Sequence, residues 1–165
     1  MKAHYLGHVV FYVKDLERSL VLYRDLLGFK EVGRSFNGAA AALTSGRTHH
    51  ELLLIQVGDV PGPPAGRRRG LYHIGIKVGD SLDELRQAKR ELEQAGILID
   101  GMSDHTVSQS LYIKDPDENE VELYVDVDES IWKNNPTAGV SFPVSFQKIG
   151  NSDRFTNFGE SGVPL

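Results

Sequence analysis

Residues 8–29 read HVVFYVKDLERSLVLYRDLLGF, and their pattern returns at residues 73–97 as HIGIKVGDSLDELRQAKRELEQAGI. Each stretch opens with a histidine at the head of a run rich in β-branched residues, which is typical of a strand. Each continues into a run with apolar residues at spacings of three and four, which indicates an amphipathic helix. The chain therefore contains an internal repeat, and each copy is predicted to begin as strand followed by helix.

The ends of the two predicted helices carry residues suited to helix termini. Asp15 and Asp80 lie near the starts, where a carboxylate can accept from free N–H groups and complement the helix dipole. Gly28 and Gly96 follow the last apolar residues and suit the left-handed position that ends a helix. We predict helices over residues 16–27 and 82–95.

Three strand-like segments follow each predicted helix, so both copies have the order βαβββ. Asn37-Gly38 is a hairpin signal in the first copy, and Asp115-Pro116-Asp117 marks a turn in the second. The fold class predicted from this order is α+β. The expected strands cover residues 29–36, 39–44 and 51–57 in the first copy, and 97–101, 107–113 and 120–125 in the second.

The repeat also predicts the domain organisation. One domain is expected over residues 1–126, with module one at about 6–57, a Pro/Gly-rich linker at 58–70 (GDVPGPPAGRRRG) and module two at about 71–126. Residues 127–165 lack clear periodicity. We expect them to form a tail that packs on the domain or on a partner subunit.

Composition narrows the class of protein. The chain has 165 residues, 40% of them apolar, a formal charge of −5 and no cysteine, which excludes disulfides and thiolate metal ligands. No run approaches the roughly 18 apolar residues of a membrane span, and the densest basic stretch is only Arg67-Arg68-Arg69. We therefore expect a cytoplasmic protein that binds neither nucleic acid nor membrane. A homodimer is the default assembly.

Two histidines and one glutamate are candidate metal ligands. His8 and His73 occupy the same place in the two copies, so they converge if the copies pack as pseudo-symmetric halves. Glu122 lies in an otherwise apolar strand, VELYV, where an unpaired buried carboxylate would be costly and a metal would stabilise it. Because strands alternate faces, the alternative is that Glu122 simply faces solvent.

Two imidazoles and one carboxylate form the facial triad of non-haem Fe(II) oxygenases, which leaves coordination positions open for substrate and dioxygen. We therefore predict a metal site at His8, His73 and Glu122 with Fe(II) as its metal. Mn(II) or another divalent metal, such as Ni(II) or Zn(II), accepts the same ligand types.

Four stretches resemble the vicinal oxygen chelate superfamily, also called the glyoxalase/bleomycin resistance/dioxygenase family. Two are generic to the superfamily, and HHELLLIQV together with DHTVSQSLYIKDPDENEVELYVD is similar to single-domain extradiol catechol 2,3-dioxygenases. The resemblance implies one cupped, barrel-like mixed sheet around a metal held by His8, His73 and Glu122. The four stretches cover residues 7–29, 49–57, 70–78 and 104–126.

The same resemblance implies roles for three further residues. His105 matches an acid/base histidine, Tyr112 a tyrosine that hydrogen-bonds the substrate, and His50 an active-site histidine on the dioxygen side. The implied reaction is ring cleavage of a catechol-type aromatic diol by O2, an oxidoreductase activity of aromatic catabolism. One departure from the family is Glu118, which replaces the usual glycine of the Asp-Pro-Asp-Gly-Asn turn.

Other functions in the same superfamily remain alternatives. Isomerases of the glyoxalase I or epimerase type use a fourth ligand on the last strand of module one, whose centre here is leucine, with Glu51 and Gln56 only at its ends. Bleomycin resistance proteins bind a drug without catalysis and generally lack the metal ligands. Thiol transferases of the fosfomycin resistance type share the three ligands but usually need a basic pocket, which the sequence does not reveal.

Overall fold

A computed structural model describes residues 1–62, 64, 66–135, 137 and 145–147. Within them the chain forms two compact units. Unit one contains Met1–Arg68 together with Asp115–Glu118, and unit two contains Arg69–Lys114 and the chain from Asn119 onward. No helix in the described part is long and apolar enough to cross a membrane. Most of the predicted tail lies outside the described residues.

Unit one is a four-stranded mixed sheet with one helical segment. Its strand order is β1-β4-β3-β2, with β1 parallel to β4 and the other neighbours antiparallel. The elements are β1 (Val9–Val13), α1 (Leu16–Leu20) continued by a π-helical stretch (Val21–Leu26), β2 (Lys30–Ser35), a 3-10 turn (Phe36–Gly38), β3 (Ala40–Thr44) and β4 (Leu52–Gln56).

Unit two repeats this arrangement and adds one strand. Its order is β5-β8-β7-β6-β9, with β5 parallel to β8. The short strand β9 pairs antiparallel with β6 and falls in the region for which the sequence predicted no element. The elements are β5 (His73–Gly79), α2 (Leu82–Gln94), β6 (Ile99–Asp104), β7 (Ser108–Lys114), β8 (Glu120–Asp126), α3 (Glu129–Trp132) and β9 (Ser145–Gln147).

The α+β class and the doubled βαβββ order are confirmed. Asp15 caps α1 by accepting from the Arg18 N–H at 2.9 Å, as predicted. The prediction for Asp80 is wrong, because Ser81 is the residue that caps α2. Gly28 and Gly96 end their helices with φ of 77° and 74°, the left-handed conformation that glycine adopts without a steric penalty.

Each sheet buries one face under its own helix. Val121, Leu123 and Val125 alternate along β8 and are almost fully buried, and Leu85 and Leu92 of α2 are buried with them. Burial of these apolar side chains stabilises the fold by roughly 25 cal/mol for each Å² of apolar surface removed from water. It also decides where function can lie, since the intervening residues of the same strands must point to the opposite face. The corresponding buried set of unit one comprises Phe11, Val13, Leu16, Leu20, Tyr23, Leu43, Leu52 and Leu54.

The turn of residues 115–118 belongs to unit one and is held by hydrogen bonds within that unit. Asp115 is buried and accepts a hydrogen bond from the Tyr23 hydroxyl at 2.9 Å. Burial and the neighbouring Asp115 charge both raise the pKa of Tyr23, so the phenol remains protonated and donates. Asp117 accepts from the Lys14 N–H at 2.9 Å. The turn is thus anchored at both aspartates.

Glu118 lies in this turn at the position where the superfamily that the sequence resembles usually has glycine. Its φ is 65°, a left-handed conformation that costs a residue with a Cβ about 1 kcal/mol or more. Glu118→Gly is therefore expected to raise the free energy of unfolding by about 0.5–1 kcal/mol, measured by urea denaturation. Glu118→Ala is the control because it keeps the Cβ and the strain. Equal stability of the two variants would contradict the prediction.

Candidate metal centre

The face of the second sheet opposite α2 is polar. The register of β5, β8 and β7 aligns Gly75 with Glu122 and Glu122 with Tyr112, so these residues point to one side. A sheet face of this kind, next to an apolar one, concentrates groups that can bind ligands. By alternation and register, its members are His73, Gly75 and Lys77 on β5, Glu120, Glu122 and Tyr124 on β8, and Ser110, Tyr112 and Lys114 on β7.

Glu122 is the centre of this polar face. Its Oε1 accepts from the Ser110 hydroxyl at 2.6 Å and from the Tyr112 hydroxyl at 3.0 Å. The His105 Nε2 lies 3.4 Å from the same oxygen. Oε2 faces the Nε2 of His73 at 3.2 Å. The structure therefore brings together four residues singled out from the sequence, and the hypothesis that Glu122 merely faces solvent is wrong.

The carboxyl group of Glu122 is held in its ionised form. Burial alone would raise its pKa, but hydrogen bonds from His105, Ser110 and Tyr112, with the nearby His73, outweigh burial and lower the pKa to about 2. The side chain therefore carries a negative charge throughout the neutral range. An ionised, half-buried carboxylate is a suitable ligand for a divalent cation.

His105 and Tyr112 form a hydrogen-bonded pair beside Glu122. The His105 Nε2 lies 2.8 Å from the Tyr112 hydroxyl. Burial, and after it the charge of Glu122, raises the pKa of Tyr112, so the phenol stays protonated and can donate. His105 is placed by the β6–β7 hairpin, where its N–H donates to the Ser108 carbonyl at 2.9 Å.

His73 lies between two carboxylates. While its Nε2 faces Glu122, its Nδ1 is buried, has no hydrogen-bond partner and lies 3.7 Å from Glu120 Oε1. On the same face, a Cβ built on Gly75 would lie 3.4 Å from Glu122 Oε2 and 3.3 Å from the Tyr124 ring. Glycine at this position therefore leaves space beside the carboxylate.

Unit one carries the other sequence-predicted histidines. His8 lies directly before β1, and its ring centroid is 4.6 Å from that of His50. The His49 and His50 Nδ1 atoms are 2.6 Å apart. Burial lowers the pKa of His50, and the neighbouring histidines lower it further, so its imidazole is neutral near pH 7. A neutral imidazole can accept a proton.

The two sheets carry different residues at the position of Glu122. In unit two the parallel register pairs Gly75 with Glu122, whereas in unit one it pairs Val10 with Leu53. Leu53 therefore occupies the place of Glu122 in the repeat, and no carboxylate stands there. This register supports the inference from the sequence that module one contributes no acidic ligand at mid-strand.

The two polar residues at the ends of that strand serve local structure. Glu51 accepts from the Ser45 and Thr48 N–H groups at 2.8 and 3.0 Å. Gln56 Oε1 accepts from the Leu16 N–H at 2.9 Å and so supports the start of α1. In the described structure both side chains thus hold backbone N–H groups of unit one.

His73 and Glu122 fit a divalent metal as two of its ligands, since an imidazole nitrogen and an ionised carboxylate already face each other beside a space left by Gly75. Across the described part of the chain, no three His, Asp or Glu side chains form a ready-made metal group. The joint ligand set of His8, His73 and Glu122 stays a prediction.

Two residues of the polar face escaped the sequence reasoning. Ser110 contacts Glu122 directly, and Glu120 has a side chain only 16% exposed and lies against His73. Strand register is the signal that reveals Glu120. In the parallel pairing of β5 with β8, Glu120 lies opposite His73.

Comparison with known proteins identifies the family of this chain. The family described as the Glyoxalase/Bleomycin resistance protein/Dioxygenase superfamily matches residues 5–123. The chain belongs to this superfamily. Its doubled βαβββ order, with a histidine at the head of β5 and a glutamate in β8, is the fold and site pattern that the sequence predicted for the superfamily.

Two curated relatives in the superfamily are named as dioxygenases. The chain is 34% identical over 131 residues to a catechol-2,3-dioxygenase of Bacillus subtilis, covering 79% of this chain and 45% of the relative. It is 33% identical over 131 residues to biphenyl-2,3-diol 1,2-dioxygenase 3 of Rhodococcus globerulus, covering 73% of this chain and 63% of the relative. The chain thus spans only about half to two thirds of the length of these relatives.

One solved structure with a similar fold is named as a lyase. Lactoylglutathione lyase from Agrobacterium tumefaciens superposes with a TM-score of 0.58 at 25% identity, covering 76% of this chain and 96% of that protein. The fold is therefore shared by members with different chemistry, and the site must decide between them.

Proposed function

We propose that this chain is an extradiol dioxygenase that cleaves the ring of a catechol-type aromatic diol with O2 at an Fe(II) site. The proposed ligands are His8, His73 and Glu122. The dioxygenase relatives imply a divalent metal, and Fe(II) within that class is our proposal, with Mn(II) as the alternative. His105, Tyr112 and His50 are proposed to act on the substrate and on O2.

The observation that carries the proposal is the register difference between the two sheets. Leu53 stands in unit one where Glu122 stands in unit two. An isomerase of the glyoxalase I type needs a fourth protein ligand on this strand, which leucine cannot supply. A three-ligand set leaves adjacent positions open for a diol and O2 together.

The residues around Glu122 have separate roles in this proposal. Ser110 and Tyr112 hold the Glu122 carboxylate by hydrogen bonds at 2.6 and 3.0 Å, which fixes its orientation and its charge. A bound Fe(II) would supply the transfer of electrons between the diol and O2. All proton movement must then come from the protein or from water.

His105 is the proposed proton carrier on the diol side. Its Nε2 lies 2.8 Å from the Tyr112 hydroxyl, so one hydrogen bond joins an imidazole to a protonated phenol. A neutral imidazole can accept a diol proton at one of its ring nitrogens and return it later. Tyr112 has one hydroxyl proton, which it donates to Glu122, and it is proposed to turn this hydrogen bond to a substrate oxygen when the diol binds. His50, whose pKa is lowered, is a second base on the side of O2.

The test is direct observation of ring cleavage. The purified chain is loaded with Fe(II) under argon, mixed with catechol and substituted catechols, and exposed to air. The expected product of extradiol cleavage is yellow and absorbs in the visible. His73→Ala is the control, because loss of this imidazole should leave the protein without metal and without product.

Two results would contradict the proposal. One is the absence of product across a broad panel of catechols from protein that has bound stoichiometric Fe(II). The other is isomerisation of a glutathione hemithioacetal with Ni(II) or Co(II) held by four protein ligands in the spectrum. The second result would place the chain with the lyase to which its structure is similar.

A further inference from the structure

The buried nitrogen of His73 points away from Glu122. Its Nδ1 makes no hydrogen bond, although the ring is only 28% exposed, and the nearest carboxylate oxygen is Glu120 Oε1 at 3.7 Å. A buried imidazole nitrogen without a hydrogen-bond partner costs free energy, and a suitably placed hydrogen-bond partner removes that cost.

A metal bound to Nε2 would determine whether Nδ1 carries a proton. A histidine bound to a metal through Nε2 carries its remaining proton on Nδ1, and that proton seeks an acceptor. Glu120 is the carboxylate on that side of the ring, and the β5–β8 register pairs it directly with His73. The two glutamates of β8, two residues apart, thus face the two nitrogens of one imidazole.

We infer that Glu120 is a positioning residue for the metal centre, in that it accepts the Nδ1 proton of His73 and fixes the ring with Nε2 toward Glu122. The inference rests on the proposed metal site but not on the proposed reaction. Metal-ligating histidines commonly donate their other N–H to a carboxylate, and loss of such a partner weakens metal binding about 10- to 100-fold.

A competing structural role for Glu120 exists and can be separated. Glu120 Oε2 also forms an ion pair with Lys114 Nζ at 2.9 Å. If this ion pair were the only purpose of Glu120, removing either partner would have the same effect. Since Oε1 faces His73 and Oε2 faces Lys114, the two roles use different oxygens.

The experiment compares Glu120→Gln with Lys114→Gln in the full chain. Both variants break the ion pair, but only the first removes the carboxylate behind His73. The dissociation constant for Co(II) is measured by competition with a chelator. Glu120→Gln is expected to weaken Co(II) binding about 10- to 100-fold. Lys114→Gln is expected to leave Co(II) binding within about threefold of the unmodified chain, since Lys114 contacts Glu120 Oε2 and leaves Oε1 facing His73.

A second measurement requires no variant. In the Zn(II)-loaded chain, ¹⁵N NMR of His73 should show the metal on Nε2 and the proton on Nδ1. Metal on Nδ1 would overturn the inference, as would equal losses of Co(II) affinity in the two variants or unchanged affinity in Glu120→Gln. These outcomes are independent of whether any catechol is cleaved, so they are distinguishable from failure of the proposed function.

Discussion

Glu122→Gln is expected to lower Fe(II) affinity more than about 100-fold and to reduce ring cleavage below detection. The amide keeps the size of the side chain and can still accept from Ser110 and Tyr112, but it carries no charge. Because the pKa of Glu122 is lowered to about 2, the unmodified side chain is ionised at every pH at which the protein would be assayed. Loss of a direct ligand should exceed the 10- to 100-fold effect of an outer contact.

The control for this variant is Glu51→Gln in unit one. Glu51 is similarly shielded, with a side chain 12% exposed, but it accepts from loop N–H groups and from Thr44 instead of facing a histidine. We expect Glu51→Gln to lower the melting temperature and to leave metal content unchanged. Scanning calorimetry measures the melting temperature. Titration calorimetry with Fe(II) measures metal affinity, and metal analysis measures metal content. Retention of full metal affinity in Glu122→Gln would remove this residue from the proposed ligand set.

His105→Ala is expected to spare the metal and to slow ring cleavage about 10²- to 10⁴-fold, the usual contribution of a general acid or base. The imidazole lies 2.8 Å from the Tyr112 hydroxyl and 3.4 Å from Glu122, so its loss would remove the proposed proton carrier and leave the three proposed metal ligands in place. Single-turnover absorbance measurements under saturating diol report the rate, and metal analysis reports occupancy.

The matched control for His105 is His4→Ala. His4 is an exposed histidine before β1 that takes no part in the clusters of either unit. The His4→Ala variant should cleave the diol at the rate of the unmodified chain. An unchanged rate in His105→Ala would show that the proton travels by another route, and a loss of metal would show that His105 is itself a ligand.

Much of the fold was predictable because it repeats. Two copies of a strand and an amphipathic helix, each ended by glycine, fix the order of elements without any long-range information. The cap at the second helix was misjudged because adjacent Asp80 and Ser81 compete for the same role, and geometry alone selects Ser81. Strand β9 lacked a periodic signal over its three residues.

The site was predictable to the extent that chemistry marks it in the sequence. A glutamate in an apolar strand is conspicuous, and Glu122 proved to be the centre of the cluster in unit two. Ser110 and Glu120 are ordinary polar residues in their strands, and only the pairing of β7, β8 and β5 shows what they face. Contacts made across strands depend on register, which residue types alone do not determine.

Leu53 lies in the first repeat where the second has Glu122, and this difference affects the net charge of the proposed metal site. A divalent cation held by neutral imidazoles and two glutamates is neutral overall, whereas one held with Glu122 as its sole acidic ligand retains a unit of positive charge. A centre with residual positive charge attracts an anionic guest and favours deprotonation of a hydroxyl that approaches it. In the proposed site, the difference between the repeats at this one position would therefore set the charge that the substrate balances.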